Sequence, residues 1–309
     1  MPKSLVVGTR GSILALWQAD RFASAWQAIG GHSERKIINT FGDQNTQLPV
    51  YAYGVEGVFT KALDAALLND EIDVAVHSLK DVPTILAQGL VLAAVLERGK
   101  TFDLLVKNPK HIPPSKNEPW RIATGSLRRQ AMWRHRYPNT EFSNLRGNMQ
   151  TRLAKLEASD WHGAIMAEAA LDRLELLNQY EVEVLDWMTP PPSQGAIGLL
   201  CREDDQELIE QLAAVNVEPF FQAAFVERQF MRQLQGGCAV PLGAYAQVHE
   251  QKIHLRAEVL SLDGKQRLLR KWEAPISDIN EIGITWAQEI AADGASAILQ
   301  EIRKEHAND

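Results

Sequence analysis

Short apolar runs of strand length alternate with longer amphipathic stretches through the first two thirds of the chain, and this rhythm restricts the fold most. Leu5 to Val7 precedes a helical pattern from Ile13 to Ile29, Lys36 to Ile38 precedes another from Val58 to Leu68, and Ile72 to Val76 follows. It resumes with Arg121 to Thr124, a helix from Leu127 to Tyr137, a strand near Glu141 to Ser143, a helix from Met149 to Ala158 and a strand at Ala164 to Met166. Strands that alternate with helices are read as parallel α/β units, because a parallel neighbour needs a crossover long enough to hold a helix. Residues 107–119, rich in Pro, Lys and Asn, read as a surface loop between the two α/β blocks, and Pro190, Pro191 and Pro192 mark a second break.

Beyond Pro219 the pattern changes to one helix reaching about Leu234, then extended runs near Ala239 to Val248, Ile253 to Leu260 and Arg267 to Trp272. A closing helix is expected from about Ile279 to Ile302, making this region a small α+β domain. At 309 residues the chain exceeds one ordinary core, and about two domains, with three possible, are expected.

Positive charge runs against the overall balance. The formal net charge is -7, yet residues 121–152 hold seven arginines, no lysine and one acid, Glu141. Guanidinium matches two oxygens in a plane where ammonium offers a point charge, so the choice of arginine favours carboxylate or phosphate partners. An acidic chain with a single basic tract argues against general nucleic-acid binding and for small polyanions. No stretch approaches membrane-spanning length and nothing resembles a signal peptide, so the cytoplasm is the default location. Two cysteines, Cys201 and Cys238, exclude a disulfide framework, and the histidines lack ligand spacing, so no metal centre is expected.

Three strand-to-helix junctions share one design: Thr9-Arg10-Gly11-Ser12, Thr124-Gly125-Ser126-Leu127-Arg128-Arg129, and Leu145-Arg146-Gly147-Asn148. Ser12, Ser126 and Asn148 are expected N-caps. Arginine in a first helical turn opposes the helix dipole by roughly 0.3 to 1 kcal/mol, so Arg128 and Arg129 make sense only beside an anion. Arg121, Arg134 and Arg136 need be no more than a solvated helix face. A fourth junction, His77-Ser78-Leu79-Lys80-Asp81-Val82-Pro83, adds a carboxylate: Asp81 could accept N–H bonds, move a proton or stabilise a developing cation. Cys238, in Gly236-Gly237-Cys238, has room for a bulky adduct or is a buried apolar residue; Cys201, beside Ile197 to Leu200, reads as buried.

These segments together resemble the porphobilinogen deaminase (hydroxymethylbilane synthase) family of tetrapyrrole and haem biosynthesis, nearly end to end. The most specific pieces are Arg10 through Ala19, His77 through Pro83, Ser126 through Gln130, Leu145 through Asn148 with Thr151 and Arg152, Gln194 to Ala196, and Gly236 through Pro241. The resemblance implies two α/β lobes like those of periplasmic binding proteins plus a small α+β C-terminal domain. Residues 1–98 with 194–216 would form domain 1, residues 99–193 domain 2 and residues 217–309 domain 3. It further implies a transferase that condenses four porphobilinogen molecules onto a covalent dipyrromethane, each with loss of ammonia, before hydrolysis releases hydroxymethylbilane.

Carried over by position, Cys238 would hold the dipyrromethane as a thioether, with Lys80, Thr124, Ser126, Arg128, Arg129 and Gly147 as cofactor-binding residues. Arg10, Ser12, Gln18, Arg146, Arg152 and Gln194 would bind substrate, and Asp81 would stabilise the cation left by ammonia while bonding pyrrole N–H groups. A monomer is the family default. Some positions depart from the pattern: Ala52 and Glu56 stand where basic residues are usual, Gly125 for a serine, Glu168 for a small apolar residue and Ala170 for a glycine. Residues 99–102 also lack the customary acids and proline. A non-catalytic two-lobed binder of a small polycarboxylate is the alternative; it requires neither Cys238 nor Asp81.

Overall fold

The computed structural model describes residues 2–44, 57–115, 118–237 and 240–308. The chain begins with β1 (Ser4–Thr9), α1 (Ile13–Ala28), β2 (His32–Ile37), the short α2 (Phe41–Gln44), α3 (Lys61–Leu68), β3 (Val74–Ser78) and β4 (Leu90–Val95). It crosses to a second sheet through β5 (Asp103–Lys107), β6 (Trp120–Ala123), α4 (Leu127–Arg136), β7 (Thr140–Ser143), α5 (Met149–Ala158), β8 (Gly163–Ala167), α6 (Glu168–Arg173) and β9 (Val182–Val184). It then returns to the first with β10 (Ile197–Arg202) and α7 (Gln206–Leu212). The last part comprises α8 (Glu218–Gln233), β11 (Leu242–His249), β12 (Lys252–Leu260), β13 (Arg267–Pro275), α9 (Ile279–Ile290) and α10 (Ser296–Asn308).

Two five-stranded sheets result, in the orders β2-β1-β3-β10-β4 and β7-β6-β8-β5-β9, beside a three-stranded antiparallel sheet β11-β12-β13. In each large sheet four strands run in one direction, as the alternation implied, and one is reversed. β10 runs antiparallel to β3 and β4, and β5 antiparallel to β8 and β9. The expectation of purely parallel units fails there for a topological reason. β5 and β10 are the first strands after the two crossings between sheets, so neither is reached through a helical crossover within its own sheet. The two crossings, 96–102 and 185–196, therefore form a double connection between the lobes.

Each large sheet buries apolar residues on both faces. Leu5, Val7, Val74, Val76 and Leu199 pack with Phe22 and Trp26 of α1 on one face of the first, while Ala75, Leu200 and Leu79 pack with Leu63 and Leu67 of α3 on the other. Cys201 is fully buried among the former group, and burial pushes its thiol up to about 11, as suits an inert core residue. The third core joins Phe230 and Val226 of α8 to the inward face of β11 and β12 and to Trp286 and Ile290. The single closing helix expected from sequence is broken: Gly294, at φ 119°, kinks the chain between α9 and α10.

Candidate functional site

The carboxyl ends of the parallel strands carry the junctions singled out by sequence, and all three expected N-caps form. Ser12 Oγ accepts from Ala15 N at 3.3 Å, Ser126 Oγ from Arg129 N at 3.5 Å and Asn148 Oδ1 from Thr151 N at 2.9 Å. β3 ends in a 3₁₀ turn, Leu79–Asp81, that presents Lys80 and the exposed Asp81. Behind it, buried Gln18 of α1 exchanges hydrogen bonds with Ser78, giving one at 2.8 Å and receiving one at 3.2 Å. Gln18 thus braces the turn from behind.

Arg128 and Arg129 have an anion, and it is internal. Asp103, the first residue of β5, has no solvent exposure. Its carboxylate receives Arg128 Nη2 at 2.6 Å, Arg129 Nη2 at 2.7 Å and Nε at 3.1 Å, and Gln194 Nε2 at 3.0 Å. Arg128 also donates to Thr189 O at 2.8 Å and Arg129 to Ile165 O at 2.9 Å. Burial alone would raise the Asp103 pKa, but the two guanidiniums outweigh it and hold the group well below the carboxylate range. The carboxylate required by two first-turn arginines is thus supplied in part by the protein. Sequence reasoning missed it, although an acid opening the apolar run Leu104-Leu105-Val106 was the available signal.

Gln194 joins this cluster to the Leu79–Asp81 turn. Its amide nitrogen also faces Thr101 O at 2.8 Å and Phe102 O at 3.3 Å, and its oxygen accepts from Lys80 Nζ at 3.2 Å. The fully buried carboxamide is a structural bridge between the two lobes.

Positive charge accumulates around that bridge. Lys80 of the first lobe feels Arg129 and Arg152 of the second; these and, above all, removal from water pull its pKa down to about 8, against the opposing pull of Asp81 and Asp103. Arg152 is lowered to about 10 by burial, Arg129 and Arg146, against Asp81. Arg152 Nε donates to Gly147 O at 2.8 Å, and neither Lys80 nor Arg152 forms an ion pair among the described residues. Thr124 Oγ1 accepts from Ser126 N at 3.3 Å at the mouth of α4. Arg10 lies 4.1 Å over the Phe59 ring, and its charge adds to burial in lowering His77 to about 4. Cys238 lies outside the described residues, as do Ala52 and Glu56.

Of the remaining tract, Arg121 Nε reaches Asp160 O at 2.9 Å, Arg134 Nη1 reaches Leu262 O at 2.9 Å and Arg136 stacks 4.8 Å over Trp187. These are structural contacts away from the cationic cluster. A carboxylate and a set of under-neutralised cations, gathered from two lobes around strand ends, define a site for a compact polyanion on which acid–base chemistry can be performed.

Known proteins sharpen this. Residues 5–210 match the family model of the porphobilinogen deaminase dipyromethane cofactor binding domain, and residues 221–292 that of the porphobilinogen deaminase C-terminal domain. The porphobilinogen deaminase of Synechococcus elongatus is 38% identical over 302 residues, covering 96% of this chain and 94% of that protein. A probable porphobilinogen deaminase of Methanocaldococcus jannaschii is 40% identical over 279 residues, covering 89% and 94%. Among solved structures, an arginine-specific periplasmic binding protein of Salmonella typhimurium aligns over 69% of this chain and 92% of its own, at 11% identity and a TM-score of 0.41. The chain belongs to the porphobilinogen deaminase (hydroxymethylbilane synthase) family, transferases of tetrapyrrole biosynthesis built on a dipyrromethane cofactor.

Proposed function

We propose that the chain condenses porphobilinogen in the cleft between its two lobes, with the residues identified above in distinct roles. The observation that carries this is the charge surplus around Lys80 and Arg152: cations driven below their ordinary pKa by burial and by neighbouring arginines gain most from bound carboxylates. A dipyrromethane and each added unit bring such carboxylates, so the donor set fits the cofactor the family is built on. When bound, that group supplies the pyrrole position to which the new bond is made.

The protein's own part divides by geometry. Lys80, Thr124, Ser126, Gly147 and the N–H groups of Arg128 and Arg129 left over by Asp103 would hold the cofactor carboxylates. Arg10, Ser12, Arg146 and Arg152 would hold those of incoming substrate, with Gln18 and Gln194 setting the positions of the turn and of Lys80. Asp81, exposed at the end of that turn, would accept pyrrole N–H bonds and stabilise the cation left when the aminomethyl group departs as ammonia. Cys238 would provide the thioether sulfur. Residues 1–98 with 194–216, 99–193 and 217–309 would act as the three domains, in a cytoplasmic monomer without nucleic-acid partners.

Intact-mass measurement tests the reading. The purified chain should carry an excess equal to two linked pyrrole rings, absent in Cys238→Ala. Asp81→Ala should keep the adduct yet lose most condensing activity. An unmodified, active wild-type chain would overturn the scheme.

A further inference from the structure

Apart from the cleft, a cavity of about 520 Å³ opens where the first crossing, α6, the start of α8 and β11 meet. Phe102, Phe220 and Tyr245 give it apolar walls, and Lys100, Glu168 and Asp172 give it charge. Glu168 is the unusual member. It is 9% exposed, yet its carboxylate makes no hydrogen bond and no ion pair among the described residues. Arg98, at the same cavity, is already committed: it gives Glu227 two bonds at 2.8 and 3.2 Å, donates to Gln194 O at 2.9 Å and lies 5.3 Å over Tyr245. Burial pushes the Glu168 carboxyl up despite the pull of Lys100, with Asp172 adding to the rise.

Placement at the head of α6 does not explain this acid. The helix has only six residues, dipole stabilisation there is small, and the carboxylate is turned to the partly open cavity with no protein partner among the described residues. Glu168 and residues 99–102, two points of departure from the family pattern, line the cavity together.

We propose that this cavity binds a small organic cation, a primary ammonium or amidinium paired with Glu168 and carried on an aromatic or aliphatic body seated against Phe102, Phe220 and Tyr245. Glu168 and Asp172 line the cavity with Lys100, and the Arg173 guanidinium beside Gly99 draws on Asp172, so Glu168 is the acid left to meet a cation. Aromatic faces add attraction for the same ligand class. A ligand there touches the crossing between lobes, α6 of the second lobe and β11 of the third sheet at once, so its occupancy would bias how the lobes sit about their double connection.

Phenethylamine serves as probe, with its uncharged analogue 2-phenylethanol as control, on the cofactor-loaded full chain by calorimetric titration and thermal melting at neutral pH and low salt. Wild type should bind phenethylamine, Glu168→Gln should weaken it roughly ten- to a hundredfold, the range for a lost charge-assisted bond, and 2-phenylethanol should bind no better to wild type than to the variant. Phenethylamine should raise the melting temperature of wild type only. Glu168→Gln itself should melt no lower than wild type, because no ion pair is lost; a clearly lower value would mark Glu168 as a structural partner and overturn the proposal. No binding at millimolar probe, or equal affinity in both proteins, would overturn it too.

Discussion

Asp103→Asn is the sharpest test of the view that Arg128 and Arg129 are held by an internal acid. The substitution keeps the shape, removes the charge and turns one acceptor into a donor facing guanidinium. Four bonds between 2.6 and 3.1 Å converge on the native carboxylate, all in a site without solvent exposure. Removing one partner of a buried ion pair costs about 3 to 5 kcal/mol, because the remaining charge stays buried without compensation. At about 2 to 4 °C per kcal/mol for chains of this order of size, the melting temperature should fall by roughly 10 °C in calorimetry. The pH dependence is equally specific. The folded pKa is depressed, so Asp103 contributes its full stability above the unfolded value near 3.9 and loses it only as pH falls towards the folded value. The gap between wild type and variant should therefore be constant from neutrality to about pH 5 and narrow only in stronger acid. A variant melting within experimental error of wild type at neutrality would show that in solution the arginine pair depends on some other anion, and the internal-acid view would fail.

Other outcomes follow from the same geometry. Lys80 loses its proton near pH 8, so kcat/KM for porphobilinogen should decline above that pH; Lys80→Arg, permanently charged, should flatten the limb, and an unchanged profile would refute the assignment. With its folded pKa below the unfolded value, that lysine should also make stability rise with pH between about 8 and about 10. His77, lowered to about 4, contributes stability above its unfolded pKa that is lost, by roughly 3 kcal/mol, as pH falls from about 6.5 to 4; His77→Asn should show a shallower acid decline in urea melts. Gly195→Ala should cost at least about 1 to 2 kcal/mol. Gly195 sits at φ +82°, and an added Cβ would lie 2.7 Å from Lys100 O and 2.8 Å from Gly99 O. A urea midpoint equal to wild type would contradict the tight approach of the two crossings.

Local signals were legible because the physics that produces them is local. Ser12, Ser126 and Asn148 announce helix starts by their own side-chain bonding, and the periodicity of Leu127 to Arg136 or Met149 to Ala158 is set within each segment. What stayed hidden depends on partners distant in sequence. Strand direction in β5 and β10 follows from which lobe the chain has just left, which no window of residues records. The charge deficit of Arg128 and Arg129 could be seen, whereas its resolution by Asp103, 25 residues upstream, could not be separated from an external ligand. The resemblance names Gln18 and Gln194 as substrate binders; their bonds to Ser78 and across Lys80 and Asp103 join residues 60 to 114 positions apart, which no sequence window records.

That bridge bears on how a single carboxylate at Asp81, in the proposed scheme, could serve successive additions if the lobes adjust to a lengthening product. Gln194 lies in the second crossing and binds backbone carbonyls of the first, Thr101 and Phe102, while reaching Lys80 on one side and Asp103 on the other. Points near a hinge axis are displaced least when two bodies rotate about it. Were the lobes to rotate about the two crossings, Lys80 and the Asp103-bound arginines, tied to Gln194, would keep their mutual spacing better than residues far from the crossings. Cations tied to the pivot suit a part of the ligand that stays fixed. Arg10, beside the head of α1, and Arg146, beside the head of α5, have no such tie to Gln194, so in that scheme they would be the cations better suited to units that must be passed along.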